Sequence, residues 1–329
     1  QNKMVKNEFG RRERELIKKI YKKTFGYFTP HFYRLLFIVS LLLLFLIWYN
    51  KAYPYTETLK GVEALPKVEI EAIPGDTSIQ AYCSTDENCR KQRWNDIKES
   101  FFNDKTFIDV DNKSWLITPT RAPDATFVPI TFGTYRKNIK FAHLVIDMNP
   151  VPAGSWFDFR DSLLTSIDFS IRVRLESYSN IRIIFETDTH YYQVTNFVKA
   201  SGGCAAPPLG DIDSFYKTAG KIKTRIKDDR ITVSVLHPQF NGLQMHPVTT
   251  EFIEPFYVQK VNVTAKCQDK NCNLNHNLFV FHGDISTSQN PSFSFKFDEL
   301  LFKHKSVDAL DIEVRDTDDN VYKRTEQIL

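Results

Sequence analysis

The sequence predicts a mainly β protein, with a single N-terminal transmembrane helix followed by two β-sandwich domains. Three observations carry that expectation. An uncharged apolar run lies close to the N-terminus, and apolar residues alternate with polar ones at a period of two through most of the remaining chain. Phe and Tyr are abundant, at 27 and 14, while Gly is sparse at 12. Aromatic side chains fit half-buried pleated surfaces, whereas nucleotide-binding scaffolds need Gly-rich turns. No GxGxxG, Walker loop or HExxH is present. At 329 residues the chain has room for two ordinary domains and flanking segments. The net charge of +3 is near neutral for this size and the basic residues are unevenly placed, so the total says little about nucleic acid, and no nucleic-acid partner is expected.

Taken in order, residues 1–31 form a basic segment in which Leu16, Ile17, Ile20, Tyr21 and Phe25 recur at helical spacing. Such a stretch can lie on an anionic lipid surface, so membrane lipid is an expected partner. Residues 32–50 are the expected transmembrane helix. The uncharged core, residues 35–49, reads LLFIVSLLLLFLIWY, and Phe32 and Tyr33 extend it beyond Arg34. That is about 18 residues, near the lower limit for crossing a hydrocarbon layer roughly 30 Å thick. Arg34 can snorkel, and Tyr33, Trp48 and Tyr49 stand where interfacial aromatics belong. No small-residue cleavage site follows, which favours a retained anchor over a signal peptide. Ten Lys or Arg precede residue 35, against three in residues 50–70, so the N-terminus is expected in the cytoplasm and the bulk of the chain outside it.

Residues 51–91 are expected to form a stalk or linker, rich in Pro, Glu and Thr over residues 51–80. A short amphipathic helix follows over residues 92–102, with Trp94, Ile97, Phe101 and Phe102 on one face. It opens the first sandwich, residues 92–209. There Ile167, Phe169, Ile171, Val173 and Leu175 alternate with polar residues, and residues 141–148, 181–186 and 191–198 continue the pattern. Asp188, Thr189 and His190 read as a hairpin turn. After a break at Pro207, Pro208 and Gly210, a second sandwich spans residues 210–329. Its strands hold Ile231, Val233 and Val235, then residues 257–263 and 278–281, then Phe293, Phe295 and Phe297, and last Leu310, Ile312 and Val314.

Five cysteines are an odd number for an oxidising compartment. Cys83 with Cys89, and Cys267 with Cys272 across a hairpin tip, are close enough in sequence to form candidate disulfides. Cys204 is then left over, in a run of Lys199, Ala200, Ser201, Gly202, Gly203, Cys204, Ala205 and Ala206. Two glycines and small neighbours let the sulfur project on a thin arm, and a nearby Lys199 would favour the thiolate. The same small cysteine equally suits a buried plug between domains. No metal site is expected: the cysteines lack CxxC spacing, and His237, His246 and His282 lack ligand spacing. No Ser/His/Asp arrangement can be argued either, so the chain is not expected to be an enzyme on its own.

Several short motifs resemble the fused SoxYZ-like carriers found beside quinoprotein dehydrogenases in bacteria. In the first half they are Ala122-Pro123-Asp124-Ala125 with Val128-Pro129-Ile130, then Ile146-Asp147-Met148-Asn149-Pro150-Val151-Pro152, then the run ending at Cys204. In the second half they are the segment from His237 to Met245, the segment from Gly283 to Phe293 and the segment from Val314 to Val321. The resemblance covers roughly residues 92–325 in the family's order. It implies two immunoglobulin-like sandwiches, a SoxY-type one over 92–209 and a SoxZ-type one over 210–329. It also implies that Cys204 is a carrier thiol holding sulfur intermediates as covalent adducts, with no other cofactor. The implied setting is the periplasmic face of a bacterial inner membrane, beside a membrane-bound or periplasmic oxidoreductase complex. A non-catalytic structural subunit of such a complex is the alternative. Two departures stand out: Ala205 and Ala206 replace a second glycine pair, and a whole domain follows the cysteine where a free arm would end the chain.

Overall fold

The computed structural model describes residue 83 and residues 86–328, apart from 103, 110–111, 209, 268–274 and 305. The expected basic segment, the transmembrane helix, most of the stalk and Cys272 lie outside the described residues. Among the described residues no helix is long and apolar enough to cross a membrane.

The first helix, α1 (Glu87–Phe101), starts earlier than the apolar spacing suggests, because its first turn is polar. Asp86 caps it, accepting from the Asn88 and Cys89 amides and satisfying donors that a helix start leaves free. A Cys83–Cys89 disulfide closes the loop into this turn. Ile97 and Phe102 pack against Val145, Ile184 and Tyr191. The helix therefore covers the outer face of a sheet and extends the first half back into the expected stalk.

Among the described residues fifteen strands follow. In the first half they are β1 (Thr106–Ile108), β2 (Ser114–Ile117), β3 (Val128–Thr134), β4 (Phe141–Ile146), β5 (Ser155–Asp158), β6 (Ile167–Val173), β7 (Ser179–Glu186) and β8 (His190–Val198). After the short helix α2 (Ile212–Thr218) come β9 (Lys221–Lys227), β10 (Arg230–Leu236), β11 (Val258–Lys266), β12 (Asn275–His282) and β13 (Ser292–Lys296). The helix α3 (Glu299–His304) then leads to β14 (Ala309–Asp316) and β15 (Val321–Gln327). The expected alternation is plain in β6, where Ile167, Phe169, Ile171 and Val173 are buried and the residues between them are not. The expected turn joins β7 to β8 at Asp188 and Thr189, while His190, expected in the turn, is the first residue of β8.

The strands do not close into two separate sandwiches. One sheet has nine strands in the order β1-β8-β7-β4-β5-β12-β11-β14-β15, and the other six in the order β2-β3-β6-β13-β10-β9. Each sheet therefore runs through both halves. The joins are β5 to β12, with Phe157 opposite Phe281, and β6 to β13, with Phe169 opposite Phe295. One apolar core lies between the sheets and draws on both halves. Phe157 is its hub: its ring lies 5.5 Å from that of Phe132 and 5.1 Å from Phe169 in the first half, and 5.9 Å from Phe279 and 4.9 Å from Phe281 in the second. The edge strand β9 carries Lys221, Lys223, Arg225 and Lys227 on one exposed face. Cations on an edge strand discourage pairing with another chain.

Candidate functional site

The site grows from the end of β8. Beyond Val198 the chain passes Lys199, whose backbone bridges Arg121, and then turns beside the residues that follow β6. The Gly202 amide donates to the Glu176 carbonyl at 2.7 Å, and the Gly203 amide to that of Leu175 at 2.9 Å. Gly202 has a φ of +79°, a conformation side chains resist. Gly203 has no room for one, since a Cβ there would collide with the carbonyl of Ala125. Gly202 thus serves a left-handed turn and Gly203 a close backbone approach.

Cys204 is the free cysteine among the described residues and is completely buried. Its amide donates to a carboxylate oxygen of Glu176 at 3.0 Å. The second half holds the segment from the other side. Asn241 Nδ2 donates to the Cys204 carbonyl at 2.7 Å and Gln244 Nε2 to that of Ala206 at 3.1 Å, while the Asn241 amide donates to Gln244 Oε1 at 3.2 Å. Both side chains are almost fully enclosed, their residues 4% and 1% exposed. Of the two readings of this segment, a projecting arm or a buried plug, the geometry is that of the second: a clamped segment whose cysteine is buried. Gly202 and Ala205 are exposed, while Gly203 is buried with the cysteine.

Burial pushes the Cys204 thiol well up from its ordinary range, because a thiolate there would lose its hydration. The Glu176 and Asp284 charges push the same way, and Arg174 opposes them. Lys199, expected to favour the thiolate, is exposed and is not the cation acting on this sulfur. In this conformation Cys204 is a quiet neutral thiol.

The motifs found along the sequence converge around it. Asn149 donates to the Arg174 carbonyl at 2.8 Å and to Ser286 Oγ at 2.9 Å, and its Oδ1 accepts from the Glu176 amide at 2.9 Å. Ala125 accepts from the Leu175 amide at 2.9 Å. Asp284 accepts from Ser155 Oγ at 2.6 Å and from the Ser286 amide at 3.0 Å, while Ser288 Oγ donates to the Thr126 carbonyl at 2.7 Å. Asp147 serves elsewhere, in holding α1 to the sheet. Arg182 grips it with Nε at 2.8 Å and Nη2 at 2.8 Å and lies 4.1 Å over the Trp94 ring.

Arg174, Glu176, Asn241 and Gln244 were not expected at the site. Asn241 and Gln244 lie within the motif from His237 to Met245, but only folding brings them to Cys204. His237 is buried; its Nδ1 accepts from the Gln239 amide at 3.3 Å and its Nε2 faces Asp316 at 3.6 Å. His282 stacks on Trp156 at 4.5 Å, and His246 accepts turn amides of Val248 and Thr249 through Nδ1. The described residues hold no group of three His, Cys, Asp or Glu suited to a metal ion. Cys267 is disulfide-bonded, and Cys272, its expected partner, lies outside the described residues.

Two family models match the chain in tandem. Residues 98–204 match sulfur oxidation protein SoxY, the match ending on Cys204, and residues 220–327 match sulphur oxidation protein SoxZ. No curated protein matches. Among solved structures, the sulfur carrier protein SoxY from Chlorobium limicola f thiosulfatophilum matches at 18% identity and a TM-score of 0.29, over 34% of this chain and 94% of that one. At that score the likeness adds no argument about the fold.

Proposed function

We propose that this chain, a SoxY domain joined in tandem to a SoxZ domain, is a carrier protein of sulfur oxidation that holds its cargo covalently on Cys204. The observation that carries this reading is the coincidence at one residue. The SoxY match ends on Cys204, Cys204 is the free thiol among the described residues, and the SoxZ half grips the segment it sits on. The chain then supplies a thiol and its setting, while partner enzymes supply the chemistry. A buried neutral thiol cannot meet a partner's active site, so loading and unloading require the clamped segment to open. The hydrogen bonds from Asn241 and Gln244 are what must break, and Gly202 and Gly210, both at positive φ, flank the piece that moves.

We place the carrier at the periplasmic face of a bacterial membrane, tethered by the apolar run at residues 32–50, with an oxidoreductase complex as partner. The support is the run itself and the basic residues before it. A tether raises the effective concentration of the thiol beside a membrane partner.

A second reading is favoured by one observation. Complete burial and an unreactive thiol also suit a structural subunit in which Cys204 only fills space. Cys204→Ser separates the two. A carrier loses sulfur-dependent electron delivery to its partner while still copurifying with it in mild detergent. A structural subunit keeps both, and that result would remove the carrier role.

A further inference from the structure

Arg174 lies just past β6 and is 3% exposed. Its backbone is held by Asn149 and Ser286, but its guanidinium is poorly matched. Nη1 donates to the Gly203 carbonyl at 3.2 Å, and Nε has no hydrogen-bond partner. It forms no ion pair with a described residue, in contrast to Arg182, the other buried arginine among the described residues, which grips Asp147 with two nitrogens. A buried cation without a counter-anion is costly, and proteins seldom keep one without a use. Of the charged groups around it, Asp124 is exposed at the surface and acts only at a distance. Cys204 follows the residue whose carbonyl Arg174 holds, and Arg174 is the cation that acts on its sulfur against Glu176 and Asp284. The unloaded site therefore holds a buried guanidinium that no carboxylate among the described residues pairs with, although Glu176 and Asp284 also act on the sulfur.

We propose that the Arg174 guanidinium is the receptor for negative charge borne on the Cys204 sulfur, as a terminal sulfur or sulfonate group of a covalent adduct. This rests on the carrier reading. A neutral thiol leaves Nε unmatched; an anionic adduct gives it an acceptor and turns an unpaired buried charge into a charge-assisted hydrogen bond. Arg174 thereby selects anionic cargo over neutral cargo of similar size, and it favours return of the loaded segment to the clamped position.

The test loads the full-length chain in detergent in two ways. With tetrathionate, the Cys204 thiol gives its proton to buffer and the sulfur attacks a central sulfur of the reagent. A new S–S bond forms, the central S–S bond breaks, and thiosulfate leaves with the electron pair, so that tetrathionate is the oxidant and the product ends in a sulfonate. With methyl methanethiosulfonate the same attack expels methanesulfinate and leaves a neutral methyl disulfide. Intact mass confirms one adduct in each case. The sulfonate form should melt about 4 °C above the methyl form, the scale of one charge-assisted hydrogen bond in a domain of this size. Arg174→Gln should abolish that gap and Arg174→Lys should keep most of it, which a purely structural arginine would not do. An equal gap in wild type and Arg174→Gln would overturn the inference. If Arg174→Gln fails to fold, the wild-type pair decides alone: a sulfonate form melting at or below the methyl form overturns it. Absence of any adduct from either reagent under native conditions would instead sink the carrier reading, and this inference with it.

Discussion

At the scale of single residues, burial decides chemistry. His237 is enclosed, and desolvation pushes its pKa down to about 4, the Asp316 charge opposing. Folded His237 thus stays neutral where the unfolded chain, with an ordinary value of about 6.5, already takes up a proton. Because the unfolded state binds the extra proton, stability should be full above pH 6.5 and fall as pH drops toward 4, by roughly 3 kcal/mol in total. His237→Asn keeps an acceptor for the Gln239 amide and removes the titration. Urea midpoints measured between pH 7 and 4 should then lose most of this slope. The sequence placed His237 within a motif but gave no sign that it would be sealed. Arg174 misled in the same way, because alternation along β6 puts it on the polar face. The strand ends at Val173, and the segment at 286–288 covers what comes next. Period-two patterning reports the two faces of a strand and is silent on loops laid over its end.

At the scale of elements, the Cys204 segment and the loop carrying Asn241 and Gln244 form a latch. Gly-Gly-Cys-Ala-Ala reads as mobile because nothing in it is bulky. The latch holds because backbone carbonyls of Leu175 and Glu176 and two side-chain amides from some 37 residues onward reach it, which no local pattern reveals. Asn241→Ala leaves the Cys204 carbonyl buried without that partner, a loss of about 1–3 kcal/mol. If alkylation proceeds through opening of the latch, its rate at Cys204 should rise about tenfold or more in this variant. Iodoacetamide labelling at fixed pH, followed by intact mass, checks this. An unchanged rate would mean that the segment opens by another route. The helix α1 was legible from Trp94, Ile97 and Phe102, although Phe101, expected on the same face, is exposed; its true start was not legible, because a polar first turn set by Asp86 carries no apolar period.

At the scale of the whole molecule, the two halves share sheets and a core. Strand content was readable because alternation is local. The partners of β5 and β12 were not, because a four-residue strand such as Ser155–Asp158 carries no mark of which strand will pair with it. One consequence is mechanical: gripping the Cys204 segment from both sides requires the halves to be fixed against each other, and the joined sheets do this. Another is cooperativity. Phe157→Ala, at the join, should cost about 3–5 kcal/mol and lower the unfolding of both halves together, as a single transition by tryptophan fluorescence and far-ultraviolet circular dichroism. Two separated transitions, with only the first moved, would indicate independent sandwiches.

The most direct measurement is peptide mapping by mass spectrometry of the protein purified from its native membrane without reductant, during growth on reduced sulfur. The peptide containing Cys204 should carry an added sulfur-containing group that reductant removes. A Cys204 found only as an unmodified thiol, or joined to another cysteine of the chain, would contradict the carrier function.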